Sequence, residues 1–561
     1  MKKDSIMLEQ DFIDIFSKYN LYDALSCFSR MSYYISHNGD ERNINGFAYI
    51  ENKYQISQAI LAYFTNMILI SASNEYKAKQ ISQEAQRIFK LASDYSNKLA
   101  EFPDDFDSLD KESQLGIMLI RLYYEQARWQ LDRVWTFSRA LLIYEKLLGS
   151  CDCREIVNGK PAEACEANPL ELFKKETGLT IKEYFIFSYL LMSLDPSKEL
   201  IRSNLGFSDD LKKINPKTYS EDKLQKCLDL LSCDYQCFKD LDKRMNENYK
   251  GLSRLRFNPL SIYPVVKTQK KYLKRDSIYV IPNYNLFSLK VTEGLFWFFI
   301  DYYSRKDKEN GIKNGAKKGA EAAFRGAFGE AFKKYVGILL KEIYNGAVHD
   351  ADSDDAIKVE GKPLGDWYID LGDKLYVIEV KARRYNRLAQ ILDIKALDKE
   401  LEDFIKNAAQ VYDAVKKIKA SNNKNLEFLK KKQIIPILIN YEIPYLDSSN
   451  MLEEKGFKLN AINEKFREKG MGEAELYYSD IYGLEIYLDV LKAKEANLED
   501  VLMRAGEEKP TEATYLNVDS GEFLDIAQIK NKPRTGNSFL DQIHKNFWDE
   551  SQISLSIQFP H

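Results

Sequence analysis

The segment Trp367-Tyr-Ile-Asp-Leu-Gly-Asp-Lys-Leu-Tyr-Val-Ile-Glu-Val-Lys381 constrains this chain more than any other. Two β-rich runs flank Gly372-Asp373, a good two-residue hairpin turn. Placing the turn there sets the register. Leu371 faces Lys374, Ile369 faces Tyr376, Trp367 faces Ile378, and Asp366 falls opposite Glu379. Directly opposed residues have Cβ atoms about 4.5–5.5 Å apart. Glu379 and Lys381 alternate with Val380 on one strand and so share a face. Tyr376, Val377, Ile378 and Val380 make that strand read as buried on both sides.

Two carboxylates and an ammonium are thus expected at the open end of one hairpin. Opposed like charges destabilise a sheet unless something compensates them. A divalent cation does so, because Mg²⁺ takes oxygen ligands from one or two carboxylates together with water and substrate phosphate. Asp370 shares the face but sits four residues away from Asp366, at ~3.3 Å per residue. That is too far to share the ion, so Asp366 is the expected partner of Glu379. Glu-x-Lys alone decides nothing: Glu51, Glu75, Glu360, Glu453 and Glu507 begin the same spacing. Only Glu379 adds a strand context and an Asp across a tight turn.

This arrangement resembles the active site of the PD-(D/E)XK nuclease superfamily, in which an Asp opens one strand and Glu-x-Lys lies on the next. The likeness covers roughly residues 324–445, with Pro363 three residues before Asp366 instead of adjacent to it. It implies a restriction-endonuclease-like core that hydrolyses phosphodiester bonds with Mg²⁺, for which Mn²⁺ substitutes. Asp366, Glu379 and the backbone carbonyl of Val380 would hold the ion, and Lys381 would orient the attacking water or stabilise charge on the phosphate. Glu330, in Phe328-Gly-Glu-Ala-Phe-Lys-Lys-Tyr-Val336, is similar to an upstream helical Glu of many members. Gln410 is similar to an accessory position of some branches. The basic run after the hairpin, with Arg383, Arg384 and Arg387, suits phosphate contacts, which supply affinity without sequence preference. Family analogy favours DNA over RNA and suggests a role in restriction or antiviral defence.

The rest of the chain predicts a multidomain α + α/β protein. Residues 1–256 read as an α-helical regulatory or recognition region, with apolar periodicity through 56–91, 115–148, 181–194 and 223–241. Residues 257–323 read as a connecting segment, with short β-like runs such as 277–281, a helix over 292–303 and a basic Gly-rich stretch. Residues 324–450 form the α/β core with a mixed central sheet: a helix over 324–344, strands at 367–371 and 374–380, a helix over 398–420 and a strand at 434–440. Residues 451–561 read as an extension that completes or flanks it, with a helix near 484–491.

Composition sets the outer limits. The chain has 81 Lys+Arg against 85 Asp+Glu and a net charge of −4, which excludes a histone-like coat working through bulk charge. The opening MKKDSIMLEQDF meets acidic residues before an apolar export segment forms, and no apolar run approaches the ~18–20 residues that span a bilayer. A cytoplasmic, membrane-free protein is expected. The 7 Cys, an odd number, suggest no disulfide framework, and Cys151, Cys153, Cys165, Cys227, Cys233 and Cys237 lack paired zinc spacing. Two other functions fit the same chain. One is a non-catalytic nucleic-acid-binding adaptor. The other is a nuclease silenced until a protein partner or a second copy engages its helical region.

Overall fold

The computed structural model describes residues 13–36, 58–72, 85–90, 133–150, 168–193, 200–203, 206–207, 220–247, 258–269, 277–312, 319–353, 358–359, 362–363, 365–384, 394–422, 426–442, 477–492, 514–515 and 539–550. The chain divides into two compact units. The first comprises Met1–Glu145, Glu166–Gly311 and Ile543–His561; the second comprises Lys146–Cys165 and Ile312–Gln542. No helix among the described residues is long and apolar enough to cross a membrane.

The first unit is not purely helical. Helices α1 (Leu21–Ser36) and α2 (Gln58–Ser71) pack their apolar faces into one core with Phe238, Leu260, Val266, Ile278 and Leu286. A buried polar knot joins them, since Gln58 Nε2 donates to the Ser32 carbonyl at 2.8 Å and Ser32 Oγ to Gln58 Oε1 at 2.7 Å. Helix α3 (Ile181–Met192) starts as its sequence dictates, with Thr180 and Glu183 forming a reciprocal capping box. Beside these helices lies a five-stranded sheet of β1 (Leu200–Ser203), β2 (Gly206–Phe207), β3 (Ser232–Asp234), β4 (Val265–Gln269) and β5 (Ser277–Val280). Its order is β2-β1-β5-β4-β3. Strands β4 and β5 thus belong to the first unit and do not merely connect. Strands of two to five residues carry too few alternations to stand out from a helical background.

The apolar helical stretch over 223–241 holds two helices, α4 (Glu221–Leu231) and α5 (Tyr235–Asn246), with β3 between them. Asp234 makes the break, accepting the Cys237 N–H at 2.9 Å as the N-cap of α5. The first turn of α5 returns Cys237 to Cys233, and the two are joined by a disulfide. This one local bond, four residues apart in sequence, is not expected from a cysteine pattern that suggests no disulfide framework. Cys27 and Cys227 are buried free thiols, and burial pushes both up to about 12. Cys151, Cys153 and Cys165 lie outside the described residues.

The second unit is built on a six-stranded mixed sheet of β6 (Val348–Asp350), β9 (Trp367–Leu371), β10 (Lys374–Lys381), β11 (Gln433–Asn440), β12 (Tyr477–Asp480) and β13 (Thr514–Tyr515). Its order is β13-β12-β11-β10-β9-β6. Pairing is antiparallel from β6 through β10 and parallel from β10 through β13. A separate two-stranded ribbon, β7 (Lys358–Val359) and β8 (Lys362–Pro363), precedes β9. Helix α6 (Ala320–Tyr344) comes before the sheet, α7 (Ile394–Ala420) links β10 to β11, and α8 (Ile481–Lys492) follows β12. A parallel pair needs such a crossover. Leu375, Val377, Ile434 and Leu438 meet Phe404, Ile405, Ala408, Val411 and Ile418 of α7 in one core. The opposite face meets α6, where the Trp367 ring fills the space left by Gly337.

Candidate active site

The hairpin has the register that its turn implies. Lys374 pairs with Leu371, Tyr376 with Ile369 and Ile378 with Trp367. Gly372 holds the turn at φ +77°, and Gly365 turns the chain into β9 at φ +90°, conformations that side chains rarely tolerate. Regular pairing ends at Trp367, but Asp366 stays bound to the neighbouring strand on both sides of Glu379. Its N–H donates to the Ile378 carbonyl at 2.8 Å, and its Oδ2 accepts the Val380 N–H at 2.8 Å. A side chain thereby replaces the next backbone rung and fixes Asp366 beside Glu379.

Lys381 Nζ donates to Glu379 Oε1 at 2.5 Å. Burial pushes the Glu379 carboxyl above the usual carboxylate range and the charge of Asp366 pushes it further, while Lys381 and Lys333 pull the other way. Asp370 sits at the far end of the hairpin, where its Oδ1 accepts from Lys432 Nζ at 2.5 Å.

Sequence reasoning missed Lys333. This lysine of α6 is almost wholly buried and reaches one of the same carboxylates: its Nζ pairs with Asp352, lies 3.5 Å from Asp366 Oδ1 and 3.8 Å from Asp350 Oδ1. Burial disfavours its charge, but the hydrogen bond to Asp352 and the charges of Asp366, Asp352 and Asp350 outweigh that and hold its pKa above the usual lysine value. Glu330, one turn earlier on α6, is exposed. Asp350 enters through β6, an edge strand of three residues with no alternation to betray it. The acidic run Asp350-Ala-Asp-Ser-Asp-Asp355 was the available clue.

The two described arginines of the basic run after β10, Arg383 and Arg384, are already engaged. Arg383 donates to Glu400 at 2.7 Å and Asp403 at 2.6 Å, both on α7. Arg384 is buried, donates to Glu442 at 2.9 Å and stacks 4.8 Å from the centre of the Tyr441 ring. Arg387 lies outside the described residues, and Gln410 is exposed on α7. Because Arg384 is buried and Glu442 only partly exposed, Arg384→Gln is expected to cost about 2 kcal/mol, below the ~3–5 kcal/mol for breaking a fully buried pair. Urea unfolding measures this directly. An unchanged midpoint would show that the pair contributes nothing to the fold.

The arrangement can hold a hard cation and an anion together. Asp366 and Glu379 supply oxygen donors, and Lys333 and Lys381 supply ammonium groups within the same few ångströms. Among the described residues no three His, Cys, Asp or Glu side chains form a ready metal cluster. Two carboxylates do fit Mg²⁺, which usually keeps several waters. Burial first, and after it the charge of Asp366, hold the Glu379 carboxyl above its usual range, and a cation between the two carboxylates would relieve the second of these. Comparison with protein-family models, curated proteins and solved structures finds no match to this chain.

Proposed function

We propose that the second unit is a Mg²⁺-dependent nuclease of the PD-(D/E)XK type that hydrolyses phosphodiester bonds, with DNA as the favoured substrate. One observation carries the reading: Asp366 is clasped to the backbone on either side of Glu379 while Lys381 holds the Glu379 carboxylate. The order helix, antiparallel strands, crossover helix, parallel strand supports a restriction-endonuclease-like core. Asp366 and Glu379, with the Val380 carbonyl, would hold the ion. When bound, Mg²⁺ acidifies water and polarises a phosphoryl oxygen. Lys381 orients that water or stabilises negative charge growing on the phosphate, which is worth most in a partly buried site. Water would attack phosphorus and lose a proton to solvent as the bond to the leaving oxygen breaks, and the leaving oxygen would take up a proton from solvent. A role in restriction or antiviral defence and a cytoplasmic setting accompany this reading.

The test is incubation with plasmid DNA and structured RNA in Mg²⁺, Mn²⁺ or EDTA, beside Asp366→Ala and Lys381→Ala. Cleavage by the wild type that stops with EDTA and in both variants is expected. Cleavage that persists unchanged in both variants overturns the site. A wild-type chain that is silent on every substrate, with or without a co-expressed partner, overturns the activity and leaves the nucleic-acid adaptor.

A further inference from the structure

We propose that the Lys333 ammonium is a built-in counter-cation of this site, which a divalent ion must displace from Asp366, and that Asp352 is the arm that receives it. The proposal rests on the metal-site reading above and adds a residue from outside the hairpin.

Lys333 is held at both ends. Its backbone carbonyl accepts the Trp367 Nε1–H at 3.0 Å, and the Trp367 ring is seated on the same helix at Gly337. Its side chain is only 10% exposed, so the ammonium has little water to turn to. It lies instead among Asp350, Asp352 and Asp366. Lys381 is already taken by Glu379. Both carboxylates expected to hold an ion thus have a protein ammonium beside them.

A divalent ion entering between Asp366 and Glu379 meets the charge of Lys333 at close range. Such repulsion is several-fold stronger in a partly buried site than in water. Asp352 changes the balance. Its carboxylate is 59% exposed and is the tightest partner of Lys333, while no contact ties it to Glu379 or Lys381. Lys333 can therefore lean on Asp352 as it yields Asp366. Two variants on opposite sides of one ion pair should then move metal affinity in opposite directions. A merely structural role predicts losses in both.

The experiment is calorimetric titration of the full-length chain with Mn²⁺ alone, with no nucleic acid, and thermal melts to confirm folding. Asp366→Asn is expected to abolish binding. Lys333→Met is expected to bind about tenfold more tightly, at the lower end of what groups around a metal site contribute. Asp352→Asn is expected to bind about threefold more weakly, the size of one exposed ion pair. Wild-type binding that is lost in Asp366→Asn, with Lys333→Met equal to or weaker than wild type, overturns the counter-cation and leaves the metal site standing. Binding indifferent to Asp366→Asn, or no binding at all, overturns both. Should Lys333→Met not fold, Lys333→Gln takes its place, and an affinity equal to or weaker than the wild type overturns the proposal.

Discussion

Glu379→Gln is expected to lower cleavage by at least roughly a hundredfold and, at the same time, to make the folded protein more stable at neutral pH. The first half rests on the proposed nuclease reading, in which Glu379 would be an anionic ligand: a metal ion contributes several kcal/mol of charge stabilisation to such a reaction, and each 1.4 kcal/mol is about tenfold in rate. The second half follows from the raised pKa of Glu379, which burial and Asp366 impose against the pull of Lys381 and Lys333. A carboxyl whose folded pKa lies above its unfolded value favours folding while protonated. That contribution is complete below the unfolded pKa and is lost as pH rises through the folded one. At pH 7 the ionised group therefore works against the fold. Glutamine keeps the shape and removes the charge, so the variant is expected to be the more stable at pH 7. Thermal melts across pH 4–8 check the sign: the advantage of Glu379→Gln should shrink as pH falls. A variant less stable than wild type at pH 7 would mean that the Lys381 pair outweighs burial.

What the sequence made legible at this site was local. The Gly-Asp turn, the alternation on either side of it and the apolar run of β10 depend on neighbours in the chain. They fixed the register from Leu371–Lys374 to Trp367–Ile378 and separated Asp366 from Asp370. What stayed hidden was non-local. Lys333 is one lysine of a Lys-Lys pair in a chain with 81 basic residues, and only the packing of α6 on Trp367 turns it towards Asp366. Arg383 and Arg384 read as a free basic run because Glu400, Asp403 and Glu442 lie 17, 20 and 58 residues away in sequence. The sheet of the first unit was legible only in short β-like runs such as 277–281, for a different reason. Its strands are two to five residues long, too short for sustained alternation, and capped helices flank β3. Charge in this chain is informative only once the pairs are known. The Lys-rich surface counts less than the two ammonium groups that reach Asp366 and Glu379.

Gly337→Ala is expected to destabilise the second unit by about 2 kcal/mol, within the range for overpacking a filled core, and to lower cleavage with it. In an exposed helix interior the same change would stabilise by up to about 1 kcal/mol, since alanine is the better helix former. The sign reverses here because a Cβ on Gly337 would stand 2.0 Å from Trp367 Cζ2 and 2.4 Å from Cη2. Carbon atoms pack at about 3.5–4.0 Å. Either α6 backs away from the sheet or the indole leaves its place. Both routes disturb the hydrogen bond from Trp367 to the Lys333 carbonyl, and Trp367 directly follows Asp366 at the start of β9. The strain is thus delivered to the backbone of one carboxylate and one ammonium of the site. Gly329 on the same helix supplies the control, because a Cβ there meets nothing within 4 Å. Gly329→Ala should match or exceed wild-type stability and keep its cleavage rate, while Gly337→Ala loses both. Equal urea midpoints for the two variants would show that Trp367 does not hold α6 against the sheet, and the positioning of Lys333 would then need another cause.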